Sequence, residues 1–308
     1  MSSSTTCYDA LLIVAFGGPE KPADIMPFLE NITRGRNIPK ERLEEVANHY
    51  HHFGGKSPIN DQVRALIAAL RGELNEAGIT LPLYWGNRNW HPLLPDTLRQ
   101  MTTDSVKRAL ALVLSAYSSY SSCRQYRENI ESARQAAGPG APTVDKLRVF
   151  YNHPDFIAAN ANRLESALET LRPELRDRAH IAFAAHSIPV SMAQGCDYAR
   201  QLTETARLVA DSLALAQDRW SLVYQSRSGR PQDPWLGPDI LDHLDTLARH
   251  GHRAVVIAPI GFLSDHMEIL YDLDEEAMHK AESLGIAFAR AQTVGTHPLF
   301  VEVVENLH

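Results

Sequence analysis

The segment GFLSDHMEILYDLDEEA, residues 261–277, ends an apolar run and then sets down Asp265, Glu268, Asp272, Asp274, Glu275 and Glu276 in close succession. On an α-helix turning roughly 100° per residue, Asp265, Glu268, Asp272, Glu275 and Glu276 share an arc of about 100°. Like charges at such spacing cost a helix about a few tenths of a kcal/mol per pair, so the pattern asks for a compensating purpose. Ile269, Leu270, Leu273 and Ala277 border the arc on one side and Met267, Tyr271 and Met278 on the other. Two apolar flanks suit carboxylates lining a groove better than a simple amphipathic helix. A plainer reading makes Asp265 an N-cap with Glu268 as its capping-box partner and the remaining acids a solvated face. It leaves Asp272 and Glu276, which continue the spacing of four, without a reason. A second candidate is His186 in AAHSIP, an imidazole that closes an apolar run. Alone, such a histidine reads as a satisfied structural residue. Facing Glu268 across a cleft, it would form a pair able to handle both protons and a divalent cation.

The elements that must position these groups show as apolar runs of strand length at 10–16, 81–86, 109–117, 147–151, 180–187, 221–226, 253–262 and 286–291. Between them lie helical patterns such as INDQVRALIAALRGELNEAG and YARQLTETARLVADSLALA. Near-continuous apolar strands alternating with amphipathic helices predict an α/β protein with parallel sheets covered on both faces. The loop-like stretch at 134–146 divides the elements into comparable halves, giving expected domains at 1–145 and 146–308. In open α/β sheets ligands bind beyond the carboxyl ends of the strands. The unusual strand ends are FGGPE, HSIP and GFLSDHMEILYD, and neither a GxGxxG fingerprint nor a P-loop occurs.

With 308 residues, 44% hydrophobic and 22% charged, and a net charge of −7, the chain suits a soluble globular protein and not a nucleic-acid binder. It shows no secretory signal and no apolar stretch of transmembrane length, so a cytoplasmic location is expected. Cys7, Cys123 and Cys196 are far apart, which excludes a site of four thiolates from one chain. His49 and His52 in NHYHHF read as surface or packing residues before metal ligands.

Taken together, FGGP, TRGR, HFGGKSPIN, SAYSSYSSCRQYREN, AAHSIP, QSRSGRPQDPWLGPDI and PIGFLSDHMEILYDLD closely resemble the ferrochelatases, most nearly the coproporphyrin ferrochelatases of Gram-positive-type bacteria. The resemblance covers essentially the whole chain, and AHS followed at a distance by DHxEILYD is its most specific part. It implies two similar Rossmann-like domains of chelatase type, each a parallel sheet flanked by helices, with the porphyrin in the cleft between them. The implied reaction is insertion of Fe(II) into coproporphyrin III with release of two protons, and Fe(II) is substrate instead of resident cofactor. By the same resemblance His186 and Glu268 match the catalytic pair, with His186 as proton acceptor or inner metal ligand. Glu268, Asp272 and Glu276 match an outer metal track. Phe16, Arg34, Arg36, Ser57 and Tyr126 match porphyrin contacts, where cationic and hydroxyl donors would meet four propionates. Their plainer readings are solvated charges for the arginines, a turn residue for Ser57 and a core aromatic for Tyr126.

The chain departs from the pattern at three places. Phe16 stands where many Gram-positive enzymes carry a tyrosine able to reach iron. His49 replaces an arginine of some relatives. The three scattered cysteines cannot build a two-iron, two-sulfide cluster, so none is expected. A downstream enzyme accepting coproheme is an implied partner. Competing readings are a protoporphyrin IX ferrochelatase, a tetrapyrrole cobalt chelatase and a non-enzymatic porphyrin carrier. A nucleotide-dependent oxidoreductase lacks its fingerprint.

Overall fold

The computed structural model describes residues 8–35, 38–228 and 232–306. These form two compact units, one from the described residues of Met1–Leu114, Arg124–Arg148 and Val304–His308, the other from those of Ser115–Cys123 and Val149–Val303.

The first unit begins with β1 (Ala10–Ala15), six apolar residues that are all buried. α1 (Ile25–Ile32), α2 (Lys40–His52) and α3 (Ile59–Glu76) follow, then β2 (Leu83–Asn87), α4 (Leu94–Thr103), β3 (Arg108–Val113), α5 (Gln125–Ala137) and β4 (Thr143–Lys146). The strands pair in parallel in the order β2-β1-β3-β4. Ala10, Leu12 and Val14 point with Ala109, Ala111 and Val113 toward Leu94, Leu98 and Met101 of α4 and Tyr126 and Ile130 of α5. Leu11 and Ile13, of opposite parity, are buried too. Both faces are therefore covered, which is why the strands read as unbroken apolar runs.

The fourth strand corrects the sequence reading. It lies at 143–146, inside the stretch taken for a loop, while 147–151 is irregular. TVDK pairs only with β3 at the sheet edge and is buried on neither face, so it carries no apolar signature. The apolar side chains of Leu147 and Phe150 are buried without belonging to a strand.

In the second unit, α6 (Pro154–Thr170) and the short α7 (Pro173–Arg176) precede β5 (His180–His186). Next come α8 (Val190–Gln194), α9 (Tyr198–Ser212), β6 (Trp220–Gln225), α10 (Ile240–Arg249) and β7 (Ala254–Ala258). A π-helix spans Ile269–Ala277 and runs into α11 (Met278–Ser283), followed by β8 (Ala287–Arg290) and α12 (Pro298–Asn306). The order β6-β5-β7-β8, again all parallel, repeats that of the first sheet. In each sheet the chain leaves its first strand toward one edge and then returns to build toward the other. That makes the β5/β7 junction a topological switch point, where crevices form at the strand ends.

The acidic segment is not the α-helix expected from its charges. The π-helix buries Ile269, Leu273 and Ala277, and α11 continues the series with Ala281, a repeat of four that packs against Ile240, Leu244 and Leu247 of α10 and the face of the sheet. A repeat of four exceeds the 3.6 of an α-helix and is accommodated by the wider turn that i→i+5 bonds close. Asp265 lies before the helix, and no side-chain cap is made at its start. The capping-box reading is thereby overturned, as is the placing of Asp265 on a common helical face.

Candidate active site

Three consecutive strands of the second unit deliver the site. His186 closes β5, and its register partner Gln225 closes β6. The chain leaving β7 passes Gly261 and reaches His266 and Glu268. Gly261 must be glycine at that point: a Cβ there would lie 2.6 Å from Ala185 Cβ and 2.7 Å from Ala185 Cα. The missing side chain lets the backbone of Gly261 donate to Ala184 O at 3.1 Å, two residues before the histidine.

His186 is oriented from behind. Tyr198 Oη donates to its carbonyl at 3.0 Å, and its Nδ1 meets the carbonyl of Ser187 in a short contact. A carbonyl can only accept, so Nδ1 carries a hydrogen and Nε2 is the nitrogen left for chemistry. Nε2 lies 3.6 Å from Glu268 Oε1. The other oxygen, Glu268 Oε2, is 3.2 Å from His266 Nε2. Burial opposes charge on His186, yet the facing carboxylate overrides it and lifts the imidazole to about 9. Burial likewise opposes the charge of Glu268, and the two imidazoles outweigh it, holding that carboxyl well below its ordinary range. The side chains keep 33% and 44% of their surface open, so an incoming ion or ring edge can reach them.

One turn on, Asp272 accepts short from Ser226 Oγ and at 3.4 Å from Gln225 Nε2. The same amide donates to Glu268 O at 3.1 Å, tying the start of the π-helix to β6. Ser226 holds a left-handed backbone, φ 59°, a conformation that costs a non-glycine residue energy and clusters at functional sites. Burial and the charge of Glu268 push Asp272 up to about 7. Glu276 lies a further four residues along and is exposed.

The structure thus brings His186 and Glu268 into contact, hangs Asp272 one step away and leaves Glu276 at the surface. Among the described residues no group of three or more His, Cys, Asp or Glu side chains is placed so that it could hold a metal ion. His266, Gln225 and Ser226 were missed by sequence reasoning. Their signal was present in part: Gln225 and Ser226 end the apolar run at 221–226, and His266 lies in the acidic segment that follows the run at 253–262.

The expected substrate contacts fall in the first unit. Phe16 follows β1, is 37% exposed and meets Phe28 edge-on. Arg88, just beyond β2 and also missed, sets its guanidinium 5.6 Å from the ring centre of Phe16 and 5.0 Å from that of Tyr126. Tyr126 itself is buried in the core, which raises its hydroxyl above the usual range. Ser57 is buried, with its backbone N–H on Pro19 O at 2.8 Å. Gly18 makes room for it: a Cβ on that glycine would stand 2.8 Å from the Ser57 Cβ. Arg34 is exposed in the turn after α1, and Arg36 lies outside the described residues.

Among solved structures the chain is similar to SirB from Bacillus subtilis with Fe3+, at TM-score 0.58 and 13% identity over 98% of this chain and 94% of that one. It is also similar to CbiX, described as the terminal enzyme for biosynthesis of siroheme in denitrifying bacteria, at TM-score 0.53 and 17% identity over 97% and 99%. These likenesses show a chelatase-like fold. In sequence it is 55% identical over 301 residues to a ferrochelatase of Rhodopirellula baltica, covering 97% of this chain and 85% of that protein. It is 54% identical to the coproporphyrin III ferrochelatase of Streptomyces coelicolor, covering 97% and 84%, and 54% identical to that of Nocardia farcinica, covering 97% and 87%. The ferrochelatase family profile matches residues 8–308, so the strand-end imidazole and its facing carboxylate stand in a chain that belongs to the ferrochelatase family.

Proposed function

We propose that this chain inserts Fe(II) into coproporphyrin III, giving coproheme and two protons, with His186 and Glu268 as the catalytic pair. The observation that carries the reading is the 3.6 Å approach of His186 Nε2 to Glu268 Oε1 at the switch point of the second sheet. Metallation requires a hydrated cation to shed water and two pyrrole N–H groups to lose protons. Glu268, held ionised by its two imidazoles, attracts the cation. As positive charge arrives, the field that keeps His186 protonated is cancelled. The imidazole gives up its Nε2 proton and becomes free to take one from a pyrrole. Asp272 and Glu276 extend the carboxylate line outward, and hard oxygen donors suit a partly hydrated divalent ion there. Phe16, Arg34, Arg36, Ser57 and Tyr126 are the proposed porphyrin contacts, the arginines serving the propionates. Relatives named for coproporphyrin III support that substrate over protoporphyrin IX, and the product would pass to an enzyme that accepts coproheme.

The test is anaerobic turnover of the purified protein with Fe(II) and either porphyrin, followed by absorbance, beside Glu268→Ala and His186→Ala. Turnover of coproporphyrin III that is lost in both variants supports reaction and pair together. Preference for protoporphyrin IX would correct the substrate. Tight porphyrin binding without metallation would make the chain a carrier.

A further inference from the structure

The acidic segment holds carboxylates that the stripe does not use. Asp265 and Asp274 both end on a single guanidinium. Arg290 Nε meets Asp274 Oδ1 in a short hydrogen bond, and Nη2 meets Asp274 Oδ2 at 2.7 Å, a two-point fork. Nη1 and Nη2 lie 3.2 and 3.4 Å from the two oxygens of Asp265, which also accepts from Thr293 Oγ1 at 3.1 Å. The three side chains are 13%, 30% and 19% exposed, in the order Arg290, Asp274, Asp265. The cluster is thus more sheltered than an ordinary surface pair. Glu268 and Asp272, by contrast, are held by imidazole, hydroxyl and amide groups.

Arg290 is itself fixed by the sheet. It ends β8 in register with Ile257 of β7, and Ala291 N donates to Ile257 O at 2.8 Å. The strand β7 stops one residue later, and the chain that leaves it carries Asp265, Glu268 and Asp274 in turn. Given that His186 and Glu268 perform the step proposed above, we infer that Arg290 is a positioning residue for Glu268. It fastens the chain on both sides of that carboxylate to the edge of the second sheet and so sets the distance to His186, which is borne by β5 on the far side of β7. A nine-residue π-helix bearing a row of like charges has little local propensity to hold that distance unaided.

The experiment compares the parent with Arg290→Lys and Arg290→Met. It measures thermal melting, coproporphyrin Kd by fluorescence quenching and kcat for Fe(II) insertion. In the Met variant kcat should fall roughly 10- to 100-fold, since small displacements of a reacting group have effects of that size. The porphyrin Kd should change by less than about two-fold, as expected for an interaction that matters only in the transition state. Lysine keeps the charge but loses the fork, and should recover part of the loss. If the Met variant does not fold, Asp274→Asn, which leaves Arg290 on Asp265, should give the same split of kcat from Kd on a smaller scale. A folded variant with parental kcat would overturn the inference, as would a kcat that falls only with the folded fraction or together with porphyrin affinity. A parent that does not metallate would instead overturn the functional reading, and this positioning role with it.

Discussion

Replacing Glu268 with glutamine keeps the shape of the site and removes one charge, and its first effect should appear on the neighbouring imidazole. Burial is the largest influence on His186 and disfavours its protonation, while the two strongest opposing influences both come from Glu268. Without them, only the Ser187 carbonyl and the more distant Asp272 remain to oppose burial. The midpoint should therefore drop from about 9 to the ordinary 6.5 or below. At pH 7.5 that changes the protonated-to-neutral ratio from about thirty to one to about one to ten. Metal-free protein labelled with 15N-histidine, titrated by long-range 1H–15N correlation, reads this directly. A variant whose His186 still titrates near 9 would refute the reasoning, because the proton would then be held by groups other than Glu268. Activity should fall about 10²- to 10⁴-fold, the range for loss of a proton-transfer partner. Stability carries a matching signature. The raised His186 contributes fully below 6.5 and loses that contribution as pH rises through about 9. The depressed Glu268 contributes above 4.5 and loses it on acidification. The melting deficit of Glu268→Gln should thus be greatest between 4.5 and 6.5 and shrink toward both extremes.

Other outcomes follow from the same geometry. Asp272 has a folded midpoint of about 7 against an ordinary 3.8, so its ionisation destabilises the fold as pH rises through that interval. Asp272→Asn should melt higher than the parent at pH 8 and equally at pH 3, while the parent's fall in Fe(II) KM as pH rises through about 7 should flatten in the variant. Leu273, fully buried between the π-helix and α10, should cost about 2–5 kcal/mol on change to alanine, measurable by denaturant unfolding. Gly261→Ala drives a methyl into the backbone of Ala185. It should cost about 1–3 kcal/mol by overpacking and lower kcat as well, because His186 is the next residue along β5.

Seven of the eight strands were readable because each is an apolar run, buried nearly throughout in the inner strands β1, β3, β5 and β7 and partly buried in the edge strands β2, β6 and β8. β4 escaped because an edge strand paired on one side needs no apolar residues, and TVDK has one. The candidate pair was readable because a strand-end histidine and an acidic turn break the apolar pattern where an α/β sheet opens. The helix type under Glu268 was misread because charges were counted at the α period. The buried series Ile269, Leu273, Ala277 and Ala281 carried the truer period. Arg290 was invisible as a partner of Asp265 and Asp274, since the contact spans 25 and 16 positions and depends on the pairing of β8 with β7. Arg88 needed the end of β2 to be fixed before its place beside Phe16 had any meaning.

The short stretch Ser115–Cys123 leaves the first sheet after β3 and is built into the second unit. Tyr117, 2% exposed, donates its hydroxyl to Ile260 O at 2.8 Å and packs edge-on against Tyr198, the residue that holds the His186 carbonyl. Ser118 N donates to Gln201 Oε1 at 2.7 Å, and Gln201 Nε2 donates to Ser118 Oγ at 3.1 Å. A chain severed at 145/146 would leave all of this on the wrong fragment. The carboxyl-terminal piece, though it owns every strand of its sheet, should expose an aromatic-sized hole, bind hydrophobic dye and recover a sharp melting transition only when the other piece is added. Two sheets of the same design do not make two interchangeable modules. The first half of the chain carries a tyrosine on which the histidine of the second half depends.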